Sequence, residues 1–177
     1  VKIARFDFMG LAANAAIRDW AMSGEMQEIK VICFRLGEDL YAADIMRVKE
    51  IVKPLKPAGL PNAPEFIDGM INLRGAVIPV LNLHKRFGIS PPVSGRNARF
   101  LIVSISGQPF AILVDEVTEV ITVPVKDLRP PPHVVNGMGT EHLIAVCLVK
   151  GALVMLLNID TILHSREVEE VREMEAP

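Results

Sequence analysis

The sequence predicts an all-β protein made of two small five-stranded barrels, and three observations carry that expectation. Apolar residues make up 50% of the 177 positions but aromatics only 5%. The core must therefore be filled by Val, Ile, Leu, Ala and Met, which suits strands packed densely on one another. The apolar residues fall in short runs broken by Gly and Pro, the punctuation of small barrels. The chain also repeats itself. "LRGAVIPVLNL" overlays "VKGALVMLLNI", matching Arg74 with Lys150, Gly75 with Gly151, Ala76 with Ala152 and Asn82 with Asn158 at one constant offset of 76 residues. Likewise "VKEI" (48–51) resembles "VTEV" (117–120). Each half then holds about five short strands, with a seam between the two barrels.

Taken in order, residues 1–28 read as a loose tail with no signal-peptide core or cleavage pattern. "KVICFRLGEDLYAADI" is a hairpin turning at Gly37-Glu38-Asp39. Asp44 caps a single helical turn, and "VKEIVK" alternates as a third strand. "PLKPAGLPNAPEF" is a proline-rich loop. "GMINLRGAVIPVLNL" is strand, tight turn at Arg74-Gly75, and strand, with Pro79 expected at an edge or a bulge because it has no N–H. "NLHKRFG" is a short helix capped by Asn82 and stopped by Gly88. After "SPPVSGRNA" the pattern returns: a hairpin in "RFLIVSISGQPFAILVDEV", a strand in "TEVITV", a second proline-rich loop, and a last hairpin in "HLIAVCLVKGALVMLLNI". The C-terminal stretch is helical, anchored by Ile159, Ile162 and Leu163 and continuing as a solvated acidic segment over 166–177.

Composition excludes several function classes. A formal net charge of −2 offers no basic field for a phosphate backbone. Trp20 and Tyr41 are the only Trp and Tyr, which disfavours a barrel that binds oligosaccharide or nucleic acid by stacking. Cys33 and Cys147 sit in apolar runs and read as reduced core residues. The longest apolar stretch, 143–159, carries Lys150-Gly151 at its middle and reads as two buried strands, not as a membrane span.

No catalytic constellation emerges. His84, His133, His142 and His164 are scattered without metal-ligand spacing, and there is no CxxC, no GxGxxG after a strand and no phosphate-binding loop. Gly137-Met138-Gly139 is a flexible loop. Ser104 and Ser106 lack a nearby base, and Asp115-Glu116 reads as a turn cap or a solvated pair. No metal or cofactor is expected. A β domain with rigid loops and so little chemistry points to binding, through strand edges and the seam between barrels.

The stretch "FIDGMINLRGAVIPVLNLHKRFG" (66–88) closely resembles the signature of the CheW-type chemotaxis coupling proteins, with its G-x-I-N-L-R-G-x-V-I-P-V core, a following leucine, a basic cluster and F-G. "YAADIMRVKEI", "FAILVDEVTEVITV", "LRPPPHV" and "LLNIDTIL" resemble further segments of that family, so the resemblance covers about residues 30–165. Two positions depart from it: Ala145 stands where a glycine is common before the last hairpin, and Ala111 where a small glycine is often found.

The resemblance implies two SH3-like five-stranded β-barrel subdomains with short connecting helices and a C-terminal helix. The domain would run over 29–165 with a boundary near 88–98 and with strand exchange between the barrels left open. It implies a cytoplasmic, non-enzymatic adaptor, recruited to membrane receptor arrays, that joins the cytoplasmic tips of methyl-accepting chemotaxis receptors to the regulatory domain of a CheA-type histidine kinase. A variant of this reading places the adaptor in a chemotaxis-like pathway for pili or development. Position by position, the receptor groove falls at Ile45, Val48, Glu50, Gly69, Asn72 and Arg74, with Glu50 and Arg74 able to pair. Kinase contacts are expected, by exposure, in the loops at Gly37, Glu38, Asp39 and Leu40 and at Gln108, Pro109 and Phe110. Gly75 and Gly151 are structural turn residues.

Overall fold

The computed structural model describes residues 28–90, 95–131 and 140–175. The N-terminal tail up to residue 27, His133 and the Gly137–Gly139 loop lie outside the described residues. Ten strands follow in order: β1 (Glu28–Leu36), β2 (Asp39–Asp44), β3 (Val48–Val52), β4 (Ile67–Leu73), β5 (Ala76–Asn82), β6 (Arg99–Ile105), β7 (Gln108–Val114), β8 (Glu116–Pro124), β9 (Leu143–Val149) and β10 (Ala152–Leu157). Helix α1 (Leu83–Phe87) follows β5, and α2 (Ser165–Glu175) closes the described chain. Single 3₁₀ turns at Ile45–Arg47, Val125–Asp127, Thr140–His142 and Ile159–Thr161 connect them.

The strands form two five-stranded sheets, β8-β1-β2-β10-β9 and β3-β6-β7-β5-β4. All neighbours are antiparallel except β2–β10 and β5–β7. The sheets do not follow the two sequence halves: the first hairpin, β1–β2, lies in the sheet of the second half, and β6–β7 lies in the sheet of the first. The sequence explains why these two hairpins can cross. A strand's side chains alternate between its faces, and a strand buried on both faces reads as a continuous apolar run. In β1, Val31 and Cys33 enter their own sheet's core while Ile32, Phe34 and Leu36 enter a larger core shared by both sheets. In β6, Phe100 and Ile102 do the first and Leu101, Val103 and Ile105 the second. "VICFRL" and "FLIVSI" are therefore the inner walls of the molecule.

Local chemistry sets the ends of the elements. Asp44 accepts the Met46 N–H at 2.9 Å and caps the Ile45–Arg47 turn. Asn82 accepts the Lys85 N–H to start α1, and Gly88, at φ 63°, stops it. Asn158, the counterpart of Asn82, accepts the Asp160 N–H. Pro79 is not on an edge strand, because β5 lies between β7 and β4. Both backbone groups of its partner Met70 bond to Ala58, so Met70–Pro79 is a non-hydrogen-bonded pair. The β7 side of β5 is paired only from Val80 onward, so the missing proline N–H costs no ladder bond.

The acidic C-terminal segment is a docked helix and not a solvated tail. Val168 and Val171, one turn apart, are buried in the shared core. Arg86 holds the helix start: Nη1 and Nη2 donate to the two Glu167 oxygens at 2.9 and 3.0 Å, Nε donates to the Ile162 carbonyl at 3.0 Å, and the guanidinium lies 4.7 Å from the centroid of the Phe66 ring. Glu169, Glu170 and Glu173 do face solvent. Burial raises the Glu175 carboxyl above the usual carboxylate range.

Candidate functional site

Each sheet has two edge strands that share no ladder, β3 and β4 in one and β8 and β9 in the other. The outer sides of β4 and β9 are covered by the proline-rich loops, through isolated bridges from Ala58 to Met70 and from Arg129 to Val146. Gly69 makes the first of these approaches workable. It sits at φ +136°, and a Cβ there would lie 2.2 Å from the Ala58 carbonyl oxygen. The glycine is thus a backbone requirement of the β4 edge.

At the end of β4 the chain reverses through Arg74 (φ 52°) and Gly75 (φ 88°), both left-handed, as a two-residue hairpin turn demands. Asn72 Oδ1 accepts the Gly75 N–H at 2.9 Å and stiffens the turn. Arg74 Nη1 reaches across the open side of the sheet to both oxygens of Glu50 on β3, at 2.9 and 3.2 Å. The side chains are 74% and 31% exposed, so the ion pair contributes little to stability. It joins the two edge strands at the surface and fixes where a guanidinium is displayed.

Of the other residues assigned to the receptor groove, Val48 lies on β3 two positions before Glu50, partly buried against the shared core, and Ile45 is half-buried in the turn that leads into β3. The apolar neighbours Ile51 and Val77 are exposed, and Met46 is 85% exposed. Glu50, Asn72, Arg74 and Gly75 are thus brought together by direct contacts, while Ile45 and Val48 join them along the chain.

The repeat supplies a second such face, which sequence reasoning did not single out. Lys150 (φ 50°) and Gly151 (φ 81°) turn β9 into β10, and Lys150 Nζ donates to Glu119 Oε2 of β8 at 3.2 Å. Val120 and Leu153, the counterparts of Ile51 and Val77, are exposed, and Leu148 at 73% stands where the first face has Asn72. The signal was available, because the two overlays that match Arg74 with Lys150 also match Glu50 with Glu119.

The kinase-contact residues divide. Glu38 and Asp39 are exposed at the β1–β2 turn, with Gly37 and Leu40 half-buried beside them. Gln108 and Pro109 border an open groove of about 410 Å³ between the β6–β7 turn and α2. Phe110 is a correction: its ring is fully buried in the shared core because the period-two alternation turns it inward, so it offers no surface.

Among the buried titratable groups, Cys33 lies directly across the β1–β8 ladder from Glu119 of the second face. Burial pushes the Cys33 thiol up to about 11, with Glu119 and Cys147 adding to it, and burial also raises Cys147. Both are free and inert core thiols. His84 and His142 are buried with hydrogen-bond partners, whereas His164 is exposed. Among the described residues there is no group of three His, Cys, Asp or Glu placed to hold a metal ion, and no helix long and apolar enough to cross a membrane.

Comparison with known proteins agrees with this architecture. The chain is 34% identical over 152 residues to the chemotaxis protein CheW of Treponema pallidum, an overlap of 84% of this chain and 89% of that one. It is 30% identical over 141 residues to protein FrzA of Myxococcus xanthus, covering 78% and 87%. The crystal structure of the scaffolding protein TtCheW from Thermoanaerobacter tengcongensis superposes with a TM-score of 0.73 at 35% identity, over 78% of this chain and 90% of that one. Ala111 and Ala145, the two departures from the family pattern, are both fully buried, Ala111 within a regular ladder and Ala145 at the register shift of β9. The model of the CheW-like domain matches residues 30–167, and the chain belongs to that family.

Proposed function

We propose that this protein is a non-enzymatic adaptor that couples the cytoplasmic tips of chemoreceptors to the regulatory domain of a CheA-type histidine kinase, in the cytoplasm at membrane receptor arrays. The observation that carries the proposal is the display of Arg74: an exposed guanidinium, on a stiff two-residue turn that follows one edge strand of the sheet, clasped by Glu50 on the other edge strand. A pair this exposed does little for the fold, whereas fixed charge and shape at a surface give orientation to a partner. In this reading Ile45, Val48, Glu50, Gly69, Asn72 and Arg74 form or support the receptor groove. Ile45 and Val48 lend apolar area to a helical hairpin, and Glu50 and Arg74 orient it. The kinase meets the turn at Gly37, Glu38, Asp39 and Leu40 and the start of β7 at Gln108 and Pro109.

Calorimetry with the purified regulatory domain of a CheA-type kinase from the same organism tests the role directly. Micromolar or tighter binding is the expected result, and no binding to any such kinase would remove the kinase from the proposal. A second reading keeps the adaptor and changes the pathway to a chemotaxis-like system controlling pili or development. The similarity to FrzA, a relative not named for chemotaxis, is the observation in its favour. Binding to one kinase of the organism and not to another separates the two.

A further inference from the structure

Three parts of the chain meet where the two sheets join: the β1–β2 turn at Gly37, the β7–β8 crossover at Asp115, and α1 with the segment that leaves it. Asp115 is the residue at which the chain steps from one sheet to the other. Its N–H donates to the Arg35 carbonyl at 3.0 Å, and its Oδ2 accepts the Gly37 N–H at 2.6 Å. Both carboxylate oxygens face His84 Nε2, at 2.9 and 3.1 Å. On the other side of the ring, His84 Nδ1 lies 2.7 Å from the Ser90 carbonyl oxygen. Ile89 packs on Gly37 closely enough that a Cβ there would sit 3.2 Å from its Cγ2.

These contacts count protons. A carbonyl oxygen can only accept, so Nδ1 carries a hydrogen. An ionised carboxylate also only accepts, so the contact at Nε2 requires a second proton on the ring. The two side chains are 5% and 14% exposed, which leaves little water to take the place of a lost bond. Without that proton, two sets of lone pairs face each other across a hydrogen-bond distance, on the carboxylate that also holds the Gly37 N–H. The neighbouring cations are engaged elsewhere: Lys85 with Asp68, Arg86 with Glu167, and Arg35 with Glu116. Glu38 and Asp39 on the same turn add negative charge at its surface. Among the described residues, His84 is therefore the cation that faces Asp115.

We propose that His84 and Asp115 form a proton-held latch between the two sheets, which fixes the Gly37–Leu40 turn and loosens it when rising pH removes the shared proton. Removing that proton leaves Nε2 and the Asp115 carboxylate as two acceptors facing each other with no donor between them. The latch sets the shape of the turn whatever partner the turn meets.

The test is nitrogen-15 NMR of the full chain, following the His84 ring nitrogens and the Gly37 amide as pH is raised from about 5 until the ring loses its charge. The expected result is a ring with both nitrogens protonated at the low end and a Gly37 amide shift that follows the same curve. Protection of that amide from hydrogen exchange should fall roughly tenfold or more across the titration. A neutral single-tautomer ring throughout, or a titrating ring with an unmoved Gly37, would overturn the latch. Asp115→Asn keeps an oxygen for the Gly37 N–H but cannot hold the charge pair. It should abolish the pH response of Gly37, and persistence of that response in the variant would equally overturn it.

Discussion

The two faces of the molecule, one around Glu50 and Arg74 and the other around Glu119 and Lys150, share a backbone and differ in side chains. Both turns place two residues at positive φ, and both ion pairs span the open side of a sheet. Both edge strands shift register at the same place, between Ile67 and Gly69 in β4 and around Leu143–Ala145 in β9. Even a buried bond repeats: the Asn82 N–H donates to Phe66 and the Asn158 N–H to His142, each at 2.8 Å. Against that shared frame, Arg74 becomes Lys150, Asn72 becomes Leu148, Gly69 becomes Ala145 and Phe66 becomes His142. The frame is held by backbone hydrogen bonds and turn geometry that tolerate many side chains, so each face can be specialised for a different surface without changing the fold.

The contrast breaks most sharply at Gly69. Its φ of +136° and the 2.2 Å separation from a backbone oxygen mean that an added methyl cannot rotate away. Ala145 is not among the residues with positive φ and is accommodated in full burial. Gly69→Ala is expected to cost about 3 kcal/mol or more in chemical denaturation, and Ala145→Gly about 1 kcal/mol. A cost at Gly69 no larger than that at Ala145 would show that the proline-rich loop simply moves aside.

The charged residues at the turns should separate function from stability. Arg74→Ala is expected to weaken receptor binding about tenfold or more while shifting unfolding free energy by less than about 1 kcal/mol. Lys150 makes one contact to its partner where Arg74 makes two, and its side chain is 79% exposed. Lys150→Ala should leave receptor binding within about threefold, an effect near 0.6 kcal/mol. Equal losses from the two variants would mean that the receptor does not distinguish the faces. A large stability loss at Arg74 would make it a structural residue. Smaller again is Leu148→Asn, which gives the second face the side chain of the first. Leu148 faces Leu153 across the hairpin and both are exposed, so only a cross-strand contact of about 0.5 kcal/mol is at stake.

Much of this was legible in the sequence for identifiable reasons. Turn and cap chemistry is local, so Gly37, Arg74-Gly75, Asn82 and Asp44 announced their elements. The offset of the repeat carried the turn pair from one half to the other. Strand exchange is not a local property: "VICFRL" and "FLIVSI" are continuous apolar runs in either arrangement, and only the pairing of β1 with β8 and of β6 with β3 decides between them. Phe110 was misplaced because its short segment "QPF" follows a turn and its orientation depends on strand phase. The docking of α2 was hidden by glutamates that outnumber the two valines holding it. The His84–Asp115 contact joins residues 31 apart through tertiary structure, and no spacing rule signals it.

The last difference, Phe66 against His142, sets an acid-side dependence of stability. The His142 ring is held below the ordinary histidine range chiefly by burial, with Arg86 and His164 also disfavouring charge, against the upward pull of its bond to the Thr161 carbonyl and of Glu141. The folded state therefore resists a proton that the unfolded chain accepts. Stability is complete above the unfolded value of about 6.5 and is lost as pH falls below it. Replacing His142 by the residue its counterpart carries, His142→Phe, should remove that loss. Urea denaturation at about pH 7 and about pH 5 would show the wild type losing more stability than the variant between the two. The latch at His84 is common to both proteins and cancels in the difference. An identical pH dependence would mean that His142 takes up its proton in place, with Glu141, 3.6 Å away, as its counter-ion.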